Sequence, residues 1–217
     1  MILEFIIAFI IAYLIGAIPF AIIIGKTFYG IDVRKHGSGN AGATNTIRVL
    51  GLNAGLPVLI LDALKGFLAV KIAYIFYLRG ILTGESYINL EIILGFAAII
   101  GHVLPIYIGF KGGKGISTLL GIGLTIFTFP ALIGLGIFMV IFILTRYVSL
   151  GSIITAISFP AISIFLFNMG YPSQVIFSVS VAILVPITHT KNIIRLFKGE
   201  ESKIDIFAKK KIPIDKR

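Results

Sequence analysis

The densest set of groups able to bind an anion lies between residues 36 and 48. This segment reads H-G-S-G-N-A-G-A-T-N-T-I-R and separates two long apolar runs. Glycine lacks a Cβ, so backbone N–H groups can approach an anion closely, and hydroxyl, amide and guanidinium side chains stand beside them. The segment therefore predicts a phosphate site. Its candidate phosphate-binding residues are Gly37, Ser38, Gly39, Asn40, Gly42, Thr44, Asn45 and Arg48.

A second glycine-rich segment, residues 111–115, directly precedes an apolar stretch that we predict to be helical. Free N–H groups and the positive dipole end at a helix N-terminus favour an anion, and two lysines add full charges. The alternative is a cytoplasmic turn whose lysines only mark its side of the membrane. Because a turn does not need so many glycines, phosphate binding is favoured. The residues concerned are Lys111, Gly112, Gly113, Lys114 and Gly115.

Neither segment fits a nucleotide-binding motif. Gly37, Gly39 and Gly42 match G-x-G-x-x-G, but the preceding residues are charged instead of forming the buried strand that a dinucleotide fold requires. Residues 109–114 are one residue too short for a Walker A loop, and neither Ser nor Thr directly follows Lys114. The pattern predicts phosphate binding without a nucleotide.

Polar residues inside or beside apolar segments form a third group of candidates. His189 and Asn192 share one helical face and are either a base with its orienting partner or a polar pair at the membrane interface. Asp62 and Lys65 share a face in an apolar helix, where we expect them to neutralise each other. His102, near a helix end, is either a structural hydrogen-bond partner or a catalyst. No metal site is expected, since the chain has no cysteine and only 3 histidines.

The composition is that of an integral membrane protein. Hydrophobic residues make up 58% of the 217 residues and charged residues 13%, and the mean hydropathy is +1.06. Soluble domains carry about 25% charged residues. The net charge of +10 does not indicate nucleic-acid binding, because basic residues in a multispanning protein normally mark cytoplasmic loops.

The apolar runs predict an all-α protein with about seven transmembrane helices. A hydrocarbon core of about 30 Å is crossed by about 20 helical residues. The run at residues 116–145 is either one long tilted helix or two short helices hinged near Phe129 and Pro130. We favour two, because Arg146 and the basic tail then lie in the cytoplasm. The predicted spans cover residues 2–24, 55–78, 92–107, 116–145 (two spans), 153–168 and 173–188.

This topology places the N-terminus outside and the C-terminus in the cytoplasm. Residues 1–217 form a single transmembrane domain that ends in a basic cytoplasmic tail, residues 202–217. All polar clusters then lie at the cytoplasmic face, which indicates an enzyme more than a pore, because a pore needs polar lining through its whole depth. The alternatives are a transporter or binding protein for small phosphorylated solutes and, third, a structural membrane subunit.

The ordered combination of these segments resembles the bacterial acyl-phosphate:glycerol-3-phosphate acyltransferases over nearly the whole chain. The order is G-S-G-N-A-G-A-T-N with Arg48, then G-H and F-K-G-G-K-G with Thr118, then R-Y-V-S-L-G-S. It ends with His189, Asn192, Arg195, Gly199 and Glu201.

The resemblance implies roles for particular residues. Ser38 and Arg48 would be catalytic and contact phosphate, with Asn40 and the loop glycines beside them, and residues 112–115 would bind glycerol phosphate. His189 and Asn192 would be active-site residues, and Glu201 would maintain structural integrity. A serine of the R-Y-V-S-L segment would reach the site; we assign Ser149, with Ser152 as the alternative.

The family reaction transfers a fatty acyl group from acyl phosphate to the 1-hydroxyl of glycerol 3-phosphate, giving lysophosphatidate and inorganic phosphate. An acyl phosphate is already activated, so cations and fixed donors that hold two phosphates together can contribute much of the rate. The proton acceptor is His189 or a substrate phosphate. The resemblance implies no cofactor, and we expect a monomer in the cell membrane with its active site at the cytoplasmic face.

Overall fold

The computed structural model describes residues 1–204, and most of the predicted basic tail lies outside these residues. The described part of the chain is all-helical, as predicted from the sequence. Its α-helices are α1 Ile2–Ala17, α2 Phe20–Tyr29, α3 Ala43–Leu50, α4 Leu52–Lys71, α5 Ala73–Leu78, α6 Gly84–Val103, α7 Ile116–Ile126, α8 Thr128–Thr145, α9 Val148–Pro160, α10 Pro172–Thr188 and α11 Thr190–Phe197. Short 3-10 turns cover Val33–Lys35 and Ile106–Ile108, and a π-helical segment covers Ala161–Leu166.

The first predicted span is not one straight helix. It divides at Ile18 into α1 and α2, which are bent by 40°. Pro19 explains the break, because a proline disfavours helical geometry in the preceding residue, and Ile18 has an extended ψ of 118°. The carbonyl oxygen that the break exposes at Ile18 accepts a hydrogen bond of 2.8 Å from the ammonium of Lys65. The break thus gives a membrane-embedded lysine a polar partner.

The apolar run at residues 116–145 forms two helices, which confirms the preferred prediction. The break lies at Phe127, slightly before the predicted hinge. Pro130 falls in the first turn of α8, where its missing N–H would have had no helical partner.

Other helix starts and ends differ from the predicted spans. The second predicted span divides at Ile72 into α4 and α5. Helix α6 begins well before residue 92, because a capping box between Thr83 and Ser86 starts it. Its early turns bury Glu91, which accepts a 2.6 Å hydrogen bond from Tyr87. Helix α9 likewise begins before residue 153 and includes both serines of the R-Y-V-S-L-G-S segment.

Small residues allow the central helices to pack closely. A Cβ at Gly16 of α1 would overlap the backbone of Ala98 in α6. In the same way, a Cβ at Gly66 of α4 would overlap Thr118 of α7, and one at Gly121 of α7 would overlap Ala63. Such contacts are typical of helices in lipid, where close packing replaces the hydrophobic driving force. They hold α1 against α6 and α4 against α7, and α6 and α7 are the helices on either side of the glycine–lysine segment.

By length and hydropathy, 3 helical segments of residues 1–204 are long enough to cross a membrane, or up to 5 if each bent pair counts as one span. The segments are Gly84–Ile108, Thr128–Thr145 and Val148–Leu166, and the bent pairs are α1 with α2 and α10 with α11. Helix α7 is shorter and apolar, and α4 carries Asp62, Lys65 and Lys71. The count of seven spans and their orientation therefore stay predictions.

Candidate active site

We call residues 36–42 the serine loop; it joins the 3-10 turn Val33–Lys35 to α3. Gly37 and Gly39 have positive φ angles of 60° and 74°, a conformation that glycine adopts without strain. Gly42 is the N-cap of α3, so the free N–H groups of the first helical turn, including that of Thr44, lie next to the loop. Ser38 is exposed at the surface of the loop. The loop thus presents backbone donors and one hydroxyl.

Asn45 holds the serine loop together. Its Oδ1 accepts hydrogen bonds from the backbone N–H of Ser38 at 2.8 Å and from the Ser38 hydroxyl at 3.1 Å. Its Nδ2 donates to the carbonyl oxygens of Val33 and His36 at 2.8 and 3.1 Å. Asn45 is only 1% exposed, and both atoms of its amide are hydrogen-bonded within this part of the chain, so its contact with phosphate stays a prediction. Asn45 positions Ser38.

We call residues 111–115 the glycine–lysine loop; it joins the end of α6 to the start of α7. Gly112 and Gly113 donate backbone hydrogen bonds of 3.1 Å to the carbonyl oxygens of Val103 and His102. Gly115 has a φ of 83° and is the N-cap of α7. Arg34 connects the 3-10 turns that precede the two loops. It pairs with Asp32 at 2.8 Å, and its guanidinium contacts the carbonyl oxygen of Ile108 at 3.5 Å.

Three distant parts of the chain meet at Glu201. Its Oε1 accepts hydrogen bonds from Asn192 at 2.7 Å and from Ser149 at 2.9 Å, and its Oε2 accepts one of 2.7 Å from Arg195. Asn192 in turn accepts a hydrogen bond from the ammonium of Lys114. The glycine–lysine loop, α9 and α11 therefore converge on one polar network, which we call the Glu201 network.

Arg48 lies beside this network with donors to spare. Its Nη2 donates to the carbonyl oxygen of Ser202 at 3.2 Å. Its Nε is buried and has no hydrogen-bond partner among the described residues. The pKa of the guanidinium lies below its usual value, mainly because of burial. Nearby Glu201 opposes this effect and Arg195 adds to it. A half-buried guanidinium with an unused donor is well suited to bind phosphate.

The Glu201 network sets the charges of its members. Burial lowers the pKa of Lys114 to about 8; Glu201 opposes this effect, whereas Arg195 and Arg48 add to it. Burial raises the pKa of Glu201, but the hydrogen bonds from Arg195, Asn192 and Ser149 outweigh burial and bring it below the usual value. Lys114, Arg195 and Arg48 thus crowd three cations around one carboxylate. This excess of positive charge favours a bound anion.

His189 adjoins the network at the junction of α10 and α11. Its Nδ1 lies 2.8 Å from the carbonyl oxygen of Val185. A carbonyl only accepts, so Nδ1 carries a hydrogen and Nε2 is the acceptor of the neutral ring. His189 is 3% exposed, within the same buried region as Asn192. The geometry allows His189 to act as a base through Nε2.

Some predicted site residues do not join the Glu201 network. Lys111 is exposed and forms no hydrogen bond or salt bridge within residues 1–204. Ser152 donates to Val148 within its own helix at 2.9 Å, whereas Ser149 reaches Glu201, so the geometry favours Ser149 over its alternative. Glu200, next to the assigned acid, is exposed.

Asp62 and Lys65 also lie apart from the network and form an ion pair of 2.7 Å. Both are almost fully buried, at 2% and 3% exposure. Their pairing is the mutual neutralisation expected for two charges inside an apolar helix.

Arg195 belongs to the last motif, but the sequence analysis assigned it no role in the site. Its guanidinium pairs with Glu201 at 2.7 Å. The signal was available, because Arg195 continues the helical face of His189 and Asn192 by one more turn. The sequence did not indicate that Glu201 would fold back onto that face.

An apolar groove of about 190 Å³ begins at Lys114 and runs between α6, α7 and α10. Its polar end is formed by Lys114 and Thr188. The side chains farther along are hydrophobic: Phe96, Ile99, Ile100, Val103, Leu104, Leu119, Val181, Leu184 and Val185. The arrangement joins a cationic site to a surface that suits a hydrocarbon chain.

Fold and site together are those of a membrane-embedded enzyme in which a cationic cluster beside a glycine-rich loop opens into an apolar groove. The chain belongs to the glycerol-3-phosphate acyltransferase family, whose model matches residues 6–199. The chain is therefore an acyltransferase. This finding decides against the alternative hypothesis of a transporter or solute-binding protein.

Relatives match the chain almost end to end. The glycerol-3-phosphate acyltransferase of Acholeplasma laidlawii is 42% identical over 94% of both chains. That of Endomicrobium trichonymphae is 43% identical over 93% of this chain and 96% of its own. A crystal structure of PlsY, an integral membrane glycerol 3-phosphate acyltransferase, in its glycerol 3-phosphate form has a TM-score of 0.81. It is 38% identical and covers 93% of this chain and 96% of PlsY.

Proposed function

We propose that this enzyme transfers a fatty acyl group from acyl phosphate to the 1-hydroxyl of glycerol 3-phosphate at the cytoplasmic face of the cell membrane. The observation that carries the proposal is the junction at Lys114, where a cationic site with the neighbouring Arg48 meets the apolar groove. An acyl phosphate has this shape, since it consists of a charged head and a hydrocarbon chain. A crystal structure of PlsY in its lysophosphatidic acid form also matches this chain, with a TM-score of 0.78.

In the proposed reaction, the 1-hydroxyl oxygen of glycerol 3-phosphate attacks the acyl carbonyl carbon. The new ester C–O bond forms, the C–O bond to phosphate breaks, and inorganic phosphate leaves with the bonding electrons. The hydroxyl proton passes to Nε2 of His189 or to a phosphate oxygen. Phosphate is a good leaving group, so no covalent enzyme intermediate is required.

The main task of the protein is to hold two anions close together. Lys114 and the neighbouring Gly112, Gly113 and Gly115 would bind glycerol 3-phosphate, whereas Ser38 and Arg48 would contact the phosphate of the donor. Asn192 and Ser149 are hydrogen-bonded to Glu201. They would keep the side chains between the two phosphates in place. Fixed cations and N–H donors offset the repulsion between the phosphates, and orientation supplies much of the rate.

The acyl chain would occupy the groove between α6, α7 and α10. Ile100, Leu104 and Leu184 along the groove are between 45% and 48% exposed, so the groove opens toward lipid. The donor could then enter from the bilayer and the product return to it. The proposed enzyme needs no cofactor and works as a monomer.

The reaction is tested with purified protein, palmitoyl phosphate and glycerol 3-phosphate. We expect equal amounts of lysophosphatidate and released phosphate, and no product when palmitoyl-CoA replaces palmitoyl phosphate. A folded preparation that uses palmitoyl-CoA but not palmitoyl phosphate would contradict the proposed donor. Arg48→Ala in folded protein serves as the site control and should lower kcat/KM by about 100-fold or more.

The topology can be tested because the chain has no cysteine. A single cysteine at Lys198 should be protected from a membrane-impermeant maleimide in intact cells and react after lysis. A single cysteine at Glu85, in the predicted outer region, should react in both cases. The reverse pattern would overturn the proposed orientation.

A further inference from the structure

His102 stands directly behind the glycine–lysine loop. Its backbone carbonyl accepts the 3.1 Å hydrogen bond from Gly113, and its ring occupies the space beside that residue. A Cβ at Gly113 would overlap Nε2 of the ring, and one at Gly112 would overlap the His102 carbonyl oxygen. The end of α6 therefore determines where the loop runs immediately before Lys114.

The same imidazole also contacts the helix that follows the loop. Its Nδ1 lies 3.1 Å from the hydroxyl oxygen of Thr118 in the first turn of α7. Thr118 is fully buried and His102 is 6% exposed, so water does not compete for this hydrogen bond. One side chain thus connects the residue before Lys114 to the helix that begins two residues after it.

The imidazole also lies beside the buried ion pair. Oδ1 of Asp62 lies 3.8 Å from Nδ1 of His102 and 2.7 Å from the ammonium of Lys65. A small space of about 10 Å³ between these residues has the size of about one water molecule. Its walls include Gly113 and Ala41 of the serine loop. The polar cluster therefore adjoins both candidate phosphate loops.

We infer that His102 and Thr118 are positioning residues for Lys114, and that their hydrogen bond controls the affinity for glycerol 3-phosphate. The inference rests on the proposed function, because it assumes that Lys114 binds this substrate. A lysine bonds phosphate as a point charge at short range, so a small shift of the loop would weaken the contact. The groove for the acyl chain is lined mainly by other residues and should be little affected.

Thr118→Val tests the inference with the least change of shape, since it removes the hydroxyl and keeps a branched side chain. We expect the KM for glycerol 3-phosphate to rise by about three- to tenfold, the range that corresponds to one hydrogen bond. The KM for acyl phosphate should change by less than about twofold, within the scatter of mutations that remove no contact. Thr118→Ser, which keeps the hydroxyl, should restore the KM for glycerol 3-phosphate.

Thr125→Val is the matched control. Its hydroxyl donates to Gly121 at 2.9 Å within α7 and does not reach the loop. This variant should leave both KM values unchanged, although it loses a hydroxyl from the same helix. A rise in the KM for glycerol 3-phosphate equal to that of Thr118→Val would overturn the inference.

A double-mutant cycle separates positioning from general stability. His102→Ala and Thr118→Val remove the same hydrogen bond, so their combined effect on the KM for glycerol 3-phosphate should be smaller than the sum. His102→Asn, which offers an amide near the position of Nδ1, should retain more affinity than His102→Ala and provides a milder variant if the latter does not fold. Additive effects, or a lower Tm with both KM values unchanged, would show that the pair is only structural. Absence of glycerol 3-phosphate turnover in the wild-type enzyme would instead refute the proposed function.

Discussion

The ammonium of Lys114 donates a hydrogen bond to the side-chain oxygen of Asn192, which joins the glycine–lysine loop to α11. The Nδ2 of Asn192 in turn donates a hydrogen bond to Glu201. A neutral amide between a cation and a carboxylate keeps Lys114 from pairing directly with the acid. Lys114 thereby stays available to an anionic substrate.

Lys114→Ala should raise the KM for glycerol 3-phosphate more than the KM for acyl phosphate. The reason is that the loop glycines and Lys114 would contact the acceptor, whereas Ser38 and Arg48 would contact the donor. Steady-state kinetics with each substrate varied in turn provides the measurement. Lys111→Ala is the matched control and should change neither value strongly, because Lys111 is exposed and outside the Glu201 network. Equal effects of Lys114→Ala on both substrates would contradict the division of sites.

The alkaline side of the pH profile should report the charge of Lys114. Its pKa is lowered to about 8, so the ammonium is present below this pH and is lost as the pH rises through it. We expect the KM for glycerol 3-phosphate to increase above about pH 8. Lys114→Arg should move the increase to higher pH, because arginine stays protonated. An unchanged profile in this variant would assign the alkaline limb to another group.

His189→Ala distinguishes the two possible proton acceptors. If Nε2 of His189 accepts the proton, kcat should fall by about 100-fold or more, the usual contribution of a general base. If a substrate phosphate accepts it, kcat should fall modestly, and the pH dependence of kcat should match that of the wild type. Rapid-quench measurement of lysophosphatidate formed in a single turnover gives the chemical step directly and excludes product release as the cause.

Glu201→Gln should lower the unfolding temperature at neutral pH. The carboxylate accepts three hydrogen bonds, and its pKa lies below the usual value of 4.5. A lowered carboxylate pKa stabilises the fold above the unfolded-state pKa, and this stabilisation is lost as the pH falls through the folded-state pKa. The difference between wild type and variant should therefore shrink at acidic pH. Glu200→Gln at the exposed neighbouring position is the control and should leave the unfolding temperature nearly unchanged.

Narrowing the apolar groove should change the acyl-chain preference. Leu119→Trp places a larger side chain in the groove and should raise the KM for long-chain acyl phosphates more than for short-chain ones. Ile183→Trp is the control on α10, since Ile183 is 55% exposed and does not line the groove. Kinetics with acyl phosphates of increasing length test this. An equal change at every chain length would argue against the groove as the acyl-chain site.

Local patterns were enough to predict most of the helices. Composition and hydropathy identified the membrane protein, and the proline near residue 130 identified a break in a long apolar run. Boundaries were less predictable where polar residues were paired inside the fold. Glu91, for example, lies within α6, where its buried carboxyl group accepts a hydrogen bond from Tyr87.

The candidate site was partly predictable for the same reason. The residue types of the two glycine-rich loops and the shared face of His189 and Asn192 are properties of short segments. The choice of Ser149 over Ser152 is not, because both lie on α9 and only their distance from Glu201 separates them. The role of Asn45 in holding Ser38 was likewise not predictable, because its hydrogen bonds depend on how the loop folds around it.

The sequence by itself determined a membrane-embedded helical enzyme with two glycine-rich polar loops, since hydropathy and glycine spacing act over a few residues. Only the tertiary structure decided which of these groups meet. Lys114 and Asn192 are separated by 78 positions along the chain, and their contact depends on the close packing of α4, α6 and α7 and on the bend between α10 and α11. No local pattern encodes that relationship, because it results from the packing of helices that are far apart in the sequence.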